Sequence, residues 1–196
     1  MAEGKLIVLS GASGVGKGTV LHRMMKMRRD LSLSGSATTR KPRPGEKDGV
    51  HYYFVSQEQF RKMIQEDAFL EYDAHMNNCY GTPWKQLEEK RSHGPVILDI
   101  EPKGARVVKD KLPDAILVFI MPPSMEELET RHPELASPLS PTKRVGGQGR
   151  NDTPEEQIRL RLERAVWEMN QRSWYDHVVV NDDADRCAGE ILSFLD

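Results

Sequence analysis

An α/β fold with a largely parallel sheet is predicted by three observations on this chain. Short apolar runs alternate with helical stretches from end to end, the first run opens straight into a glycine-rich turn and a helix, and the texture changes over residues 37–82. The first strand falls near residues 6–10, where Leu6-Ile7-Val8-Leu9 is the continuous apolar run of a strand covered on both faces. A helix follows over 17–29, carrying Leu21, Met24 and Met25 at helical spacing, and a second strand is read near 31–36. Aromatic-rich short strands at Val50–Val55 and Phe69–Tyr72 then surround one helix begun by Ser56, as in an inserted α+β lobe. Strands resume at Val96-Ile97-Leu98, Ala115–Met121 and His177–Val180. Two further helix starts carry capping boxes, Ser124 with Glu127 and Thr153 with Glu156, the second with Pro154 in the first helical position. Between them, His132–Asp152 is rich in Pro, Gly, Ser and basic residues, a stretch long enough to be read as a functional lid or as local disorder.

With 196 residues and 38% hydrophobic content the chain can bury one good core with at most a small appended subdomain. A net charge of -2 speaks against a general nucleic-acid or anionic-membrane binder. The first fifty residues nevertheless hold ten Lys/Arg against four Asp/Glu, so positive charge gathers around the glycine-rich turn. Cys79 and Cys187 are too few for a disulfide framework, Met1-Ala2-Glu3-Gly4 leads directly into the first strand, and no apolar run approaches membrane-spanning length. The expectation is a cytoplasmic protein with neither nucleic-acid nor membrane partners.

The glycine-rich turn reads Gly11-Ala12-Ser13-Gly14-Val15-Gly16-Lys17-Gly18-Thr19. A strand that ends in such a turn and feeds a helix aims backbone N–H groups and the positive end of the helix dipole at one point, which favours a polyphosphate. The pattern G-x-x-x-x-G-K-[ST] is met through Lys17, whose amine can reach the terminal phosphates. Gly18 stands where the hydroxyl belongs, so Thr19 becomes the candidate magnesium-side hydroxyl. Further on, Arg40 and Arg43 lie three apart in a proline-stiffened loop near Ser36, with Tyr52 and Tyr53 beyond them. Such charges alone would be read as a solvated loop. Beside a phosphate loop they read as a second anion site, because moving a phosphoryl group between two nucleotides needs a site for each.

With those residues, Ser36 to Glu46, Asp48-Gly49, Tyr52 and Phe54 make the chain resemble the guanylate kinase family. Phe69-Leu70-Glu71, Tyr80-Gly81-Thr82, Leu98-Asp99-Ile100 with Gly104, Pro122-Pro123-Ser124 and Val180-Asn181-Asp182-Asp183 extend the resemblance over nearly the whole length. The resemblance implies a P-loop NTPase fold, with a doubly wound parallel sheet as core (1–36, 83–131 and 153–196), a small α+β GMP-binding lobe (37–82) and a lid (132–152), all in one domain. It also implies transfer of phosphate from ATP to GMP, and to dGMP, with Mg2+, by a monomer or homodimer.

Carried over position by position, the resemblance makes Gly11 to Thr19 and Asn181 the ATP-binding residues, with Thr19 and Asp99 on the metal. Arg40, Arg43, Tyr52 and Tyr80 would hold the GMP phosphate with Glu46 near them, while Ser36, Glu71, Thr82, Asp99 and Glu101 would form the guanine-reading group and its acidic neighbours. Lys17, Arg40, Arg131, Arg150 and Arg161 would neutralise the transferring phosphoryl charge. Asp99 reads either as part of the magnesium or guanine network or as a helix N-cap, and Asn181 either borders the ATP base or starts a turn. Ala12 in place of the usual proline, Cys79 in place of a frequent tyrosine, Glu101-Pro102-Lys103, and added residues between Arg131 and Arg150 depart from the family pattern. A non-catalytic guanylate-kinase-like scaffold and a kinase of another phosphorylated acceptor are the rival readings.

Overall fold

A computed structural model describes residues 4–75, 78–130, 163 and 165–196. Its strands are β1 (Leu6–Gly11), β2 (Ser32–Leu33), β3 (Ala37–Thr38), β4 (Tyr53–Phe54), β5 (Phe69–His75), β6 (Asn78–Pro83), β7 (Val96–Asp99), β8 (Ile116–Met121) and β9 (His177–Val180). The helices are α1 (Lys17–Met27), α2 (Gln57–Gln65), α3 (Trp84–Arg91), α4 (Pro102–Lys111), α5 (Met125–Thr130) and α6 (Ala184–Ser193), with a 3-10 turn at Gln171–Trp174. One sheet has the order β2-β7-β1-β8-β9 and the other β4-β3-β6-β5. The pairs β1/β7, β2/β7 and β8/β9 are all parallel, in agreement with the sequence-based class. Strand order reverses at β1, and in open α/β sheets ligands gather beyond the strand ends at such a switch point.

The chain divides into two compact units. One comprises Met1–Leu9, Arg28–Leu117 and Leu195; the other Ser10–Met27, Val118–Phe194 and Asp196. In the first, Leu6, Ile7, Val8 and Leu9 are sealed from solvent and pair in register with Val96, Ile97, Leu98 and Asp99. In the second, α1 packs on α6, whose Cys187, Ala188 and Ile191 are buried, while Val118, Phe119 and Ile120 of β8 are enclosed beside β9.

The four-stranded sheet is mixed. β3 runs parallel to β4 and antiparallel to β6, which is antiparallel to β5. Beneath it, Ala37, Phe60 and Phe69 are buried together and packed by Tyr53, Val55, Met63, Ile64 and Cys79. Ser56 begins α2 with a complete capping box, its hydroxyl accepting from the Gln59 N–H while the Gln59 side chain accepts from the Ser56 N–H. Ser124 likewise accepts from the Glu127 N–H at the start of α5.

Several sequence-based boundaries shift for local reasons. Helix α1 stops at Met27 rather than 29, because Leu31 N–H turns back onto the Arg28 carbonyl and the Arg28 guanidinium bonds Asp30 at 3.1 Å. The strand expected near 31–36 contracts to Ser32–Leu33, and Ala37–Thr38 just beyond it joins the other sheet. The strand expected over 50–55 contracts to Tyr53–Phe54, since Gly49 at φ 73° turns the chain and bonds Tyr52. Strand β6 was not anticipated: Asn78-Cys79-Tyr80-Gly81-Thr82 lacks apolar alternation, and its pairing with β5 and β3 supplies what propensity does not. The lid at 132–152 and the helix start at Thr153-Pro154 lie outside the described residues.

Phe60 stacks on Phe69 with centroids 4.5 Å apart at 29°. Phe60→Ala is expected to cost about 3–5 kcal/mol of stability through lost transfer energy and an unfilled cavity, read as a lower midpoint in urea unfolding.

Candidate active site

Residues 12–16 form the glycine-rich loop between β1 and α1. A Cβ on Gly11 would lie 2.5 Å from the Ile120 carbonyl oxygen, and Gly16 has φ 91° with room for a Cβ closed by the Asn181 amide at 2.8 Å. Side chains are therefore excluded at two points, and the loop closes with Val15 N–H on the Ala12 carbonyl at 3.1 Å. α1 starts at Lys17, and the Thr19 and Val20 N–H groups bond the Gly16 carbonyl at 3.0 and 3.1 Å. Lys17 Nζ rests on the Gly11 carbonyl at 3.2 Å, curled over its own loop. Thr19 and Gly18 are exposed, and a Cβ on Gly18 would meet nothing within 4 Å.

Two buried polar side chains brace this loop. Asn181, 5% exposed, donates from Nδ2 to the Val15 carbonyl at 2.8 Å, and its own N–H bonds the Met121 carbonyl. The turn after β9 is instead capped by Asp183, whose carboxylate accepts from the Asp185 and Arg186 N–H groups at the start of α6. Glu168, 4% exposed between buried Ala165 and Met169, accepts the Ser13 N–H at 2.9 Å. The sequence reading missed Glu168. Its signal was a carboxylate on the apolar stripe of a helix, where carboxylates are rare unless partnered.

The second group of predicted residues lies around the four-stranded sheet. The Arg40 guanidinium forms a two-pronged pair with Glu46, both N···O distances 2.9 Å, and lies over the Tyr52 ring at 5.2 Å. Glu46 also accepts the Arg43 N–H at 2.7 Å. Those bonds, the Arg40 side chain first, pull the Glu46 carboxyl down to about 2. The backbone of Arg40 is set by the Thr38 hydroxyl, and that of Cys79 by Thr39, roles the sequence reading left unassigned. Tyr52 and Tyr80 meet edge to face at 6.3 Å, and Tyr80 also interacts with Arg40. Tyr53, half-buried, instead packs its ring beneath Gly35, whose Cβ would come within 3.0 Å of it. Arg40, Glu46, Tyr52 and Tyr80 are thus brought together.

Glu71 is 6% exposed and takes a hydrogen bond from the Thr82 hydroxyl at 2.6 Å. Burial raises its carboxyl above the usual range, opposed by the Thr82 bonds. A Cβ on Gly104 would stand 2.7 Å from Glu71 Oε2, so the helix surface at that point is flat against the carboxylate. Ser36 is half-buried on the approach to β3, with its carbonyl bonded by Tyr53 N–H. Asp99 ends β7, exposed and close enough to Tyr52 to act on its phenol electrostatically. It is not the N-cap of α4, a position taken by Glu101, whose side chain makes no capping bond. Arg131, Arg150 and Arg161 lie outside the described residues.

The family model for guanylate kinase matches residues 3–196. The chain belongs to the guanylate kinase family. A guanylate kinase of Synechococcus sp. (strain CC9311) is 44% identical over 94% of this chain and 90% of its own length. One from Caldanaerobacter subterraneus is also 44% identical, over 98% of this chain and 87% of its own. A crystal structure of guanylate kinase from Anaplasma phagocytophilum, 30% identical, superposes with a TM-score of 0.72, covering 100% of this chain and 86% of that one. The guanylate kinase fold is thus the fold of this chain, a mostly parallel central sheet with helices.

Glu46 binds its proton more weakly in the fold, at about 2, than at its ordinary value of 4.5. Its stabilising contribution is therefore complete above pH 4.5 and is lost as pH falls toward 2. In Glu46→Gln the acid limb of a urea-midpoint profile should flatten over that interval, and a carboxyl titration by NMR should place the wild-type midpoint near 2.

Proposed function

We propose that this protein transfers the terminal phosphate of ATP to GMP, giving ADP and GDP, and accepts dGMP through the same base contacts. The observation that carries the reading is the buried Glu71 carboxylate, with one oxygen on the Thr82 hydroxyl. Guanine offers N1–H and N2 amino donors to a carboxylate and an O6 acceptor to a hydroxyl such as that of Ser36. Adenine reverses the pattern at N1 and the exocyclic group, leaving a buried carboxylate without its donors, which is costly.

Arg40, Arg43, Tyr52 and Tyr80 would hold the acceptor phosphate, with Glu46 keeping Arg40 in place until substrate arrives. On the donor side, the loop amides would cradle the polyphosphate and Lys17 would leave the Gly11 carbonyl to follow the migrating phosphoryl group. Arg131, Arg150 and Arg161 are assigned the remaining charge neutralisation. Transfer of this kind rests on positioning and electrostatics, with no covalent protein intermediate. Mg2+ would be held by oxygen donors, the Thr19 hydroxyl and the Asp99 carboxylate, with nucleotide phosphates and water completing the shell, and would neutralise phosphate charge. We infer a cytoplasmic monomer or homodimer acting on small molecules. Among the described residues no helix is long and apolar enough to cross a membrane.

ADP production from ATP, measured separately with GMP, dGMP, AMP, UMP and ribose phosphates, tests the reading: turnover confined to the guanine nucleotides is expected, and equal turnover with AMP overturns it. Lys17→Ala should fold normally and lose about 10²- to 10³-fold in kcat, a loss that a scaffold domain with no activity could not display. Glu71→Gln should weaken GMP use and narrow the GMP to AMP ratio of kcat/KM while leaving KM for ATP largely intact, as steady-state kinetics with each acceptor would record.

A further inference from the structure

Glu168 is a buried carboxylate in a segment that carries none of the motif residues, yet it reaches the phosphate loop. Its Oε2 accepts the Ser13 N–H at 2.9 Å, while the Ser13 residue itself is exposed. We propose that Glu168 is a positioning residue for ATP, a clamp that fixes the crest of the phosphate loop through the Ser13 amide; the proposal rests on the reading of this loop as the donor site. The loop contains no regular structure between Gly11 and Lys17, so its amides point where their partners hold them. Asn181 secures one carbonyl, that of Val15, and Glu168 secures one amide, that of Ser13. With the loop fixed from two sides, the peptide planes at Gly14, Val15 and Gly16 have little freedom left.

The arrangement also sorts the loop's donors. The Ser13 N–H is committed to a protein carboxylate, so it does not serve the incoming phosphates, and the donors left for them are those nearer the start of α1. A carboxylate is suited to this task because charge-assisted hydrogen bonds are shorter and stronger than neutral ones. Its burial removes the competition of water. The negative charge stays bonded to an amide facing it, so the phosphates meet N–H dipoles rather than a bare anion. Glu168 thereby acts on ATP through the loop.

The test pairs two variants. Glu168→Gln keeps an oxygen that can accept the Ser13 N–H, whereas Glu168→Ala leaves that amide unpartnered. Glu168→Ala should raise KM for ATP about tenfold, the effect of losing one charge-assisted hydrogen bond, and lower kcat, with KM for GMP unchanged. Glu168→Gln should restore most of both. In NMR spectra of the full-length protein, the Ser13 amide should be shifted downfield and exchange slowly in the wild type and in Glu168→Gln, and lose both features in Glu168→Ala. An ordinary KM for ATP in Glu168→Ala, or equal loss in both variants with KM for ATP and GMP rising together, overturns the clamp and leaves Glu168 a packing residue. A wild-type protein that makes no ADP with GMP would instead overturn the donor-site reading, a separate failure, since the Ser13 amide signal needs no turnover.

Discussion

The structure turns on a single constraint: a loop that turns a buried strand into a helix over residues 12–16 can carry neither bulky side chains at its close approaches nor regular hydrogen bonding. Glycine solves the first half. Gly11 passes so close to the Ile120 carbonyl that no Cβ fits, and Gly16 turns left-handed against the Asn181 amide. The second half is answered by the secondary structure at either end of the loop, since β1 is sealed from water along its length and α1 is pinned at its first turn by the Gly16 carbonyl. Between those ends, the loop is held by polar side chains imported from the far end of the chain, Glu168 and Asn181.

The four-stranded sheet meets a different demand. Two of its strands, Ala37–Thr38 and Tyr53–Phe54, are only two residues long, and Arg40, Arg43 and Glu46 stand in the loop between them. Hydrogen bonds from backbone N–H groups to side-chain oxygens do the work that longer ladders would do elsewhere. Thr38 sets the Arg40 backbone, Thr39 joins Cys79, Asp48 takes the Phe54 N–H, and Glu46 ties Arg40 to Arg43. The aromatic stack of Phe60 on Phe69 gives this small assembly an apolar floor.

Much of this was legible in the sequence because the signals were local. An unbroken apolar run followed by glycines and a lysine can hardly be anything but a strand, a loop and a helix start, and the Ser56 and Ser124 caps were visible as spacing alone. Membership of the guanylate kinase family was legible too, through ordered motifs spread over the chain. What escaped was non-local. β6 becomes a strand because β3 and β5 lie on either side of it. Asn181 also braces the loop, a role visible only when Val15, distant in sequence, is beside it. Glu168 had no motif at all. Asp99 could not be separated from a helix cap until α4 was seen to start after Glu101.

Gly104 shows how far such constraints reach. With Thr82 anchoring one oxygen of Glu71 and Gly104 flush against the other, the carboxylate fills a slot with no slack. The setting of the Glu71 carboxylate is therefore recorded partly in a residue that has no side chain to inspect. Position 71 cannot be enlarged alone, and any gain at position 104 first evicts the carboxylate, so the two positions are free to change only together.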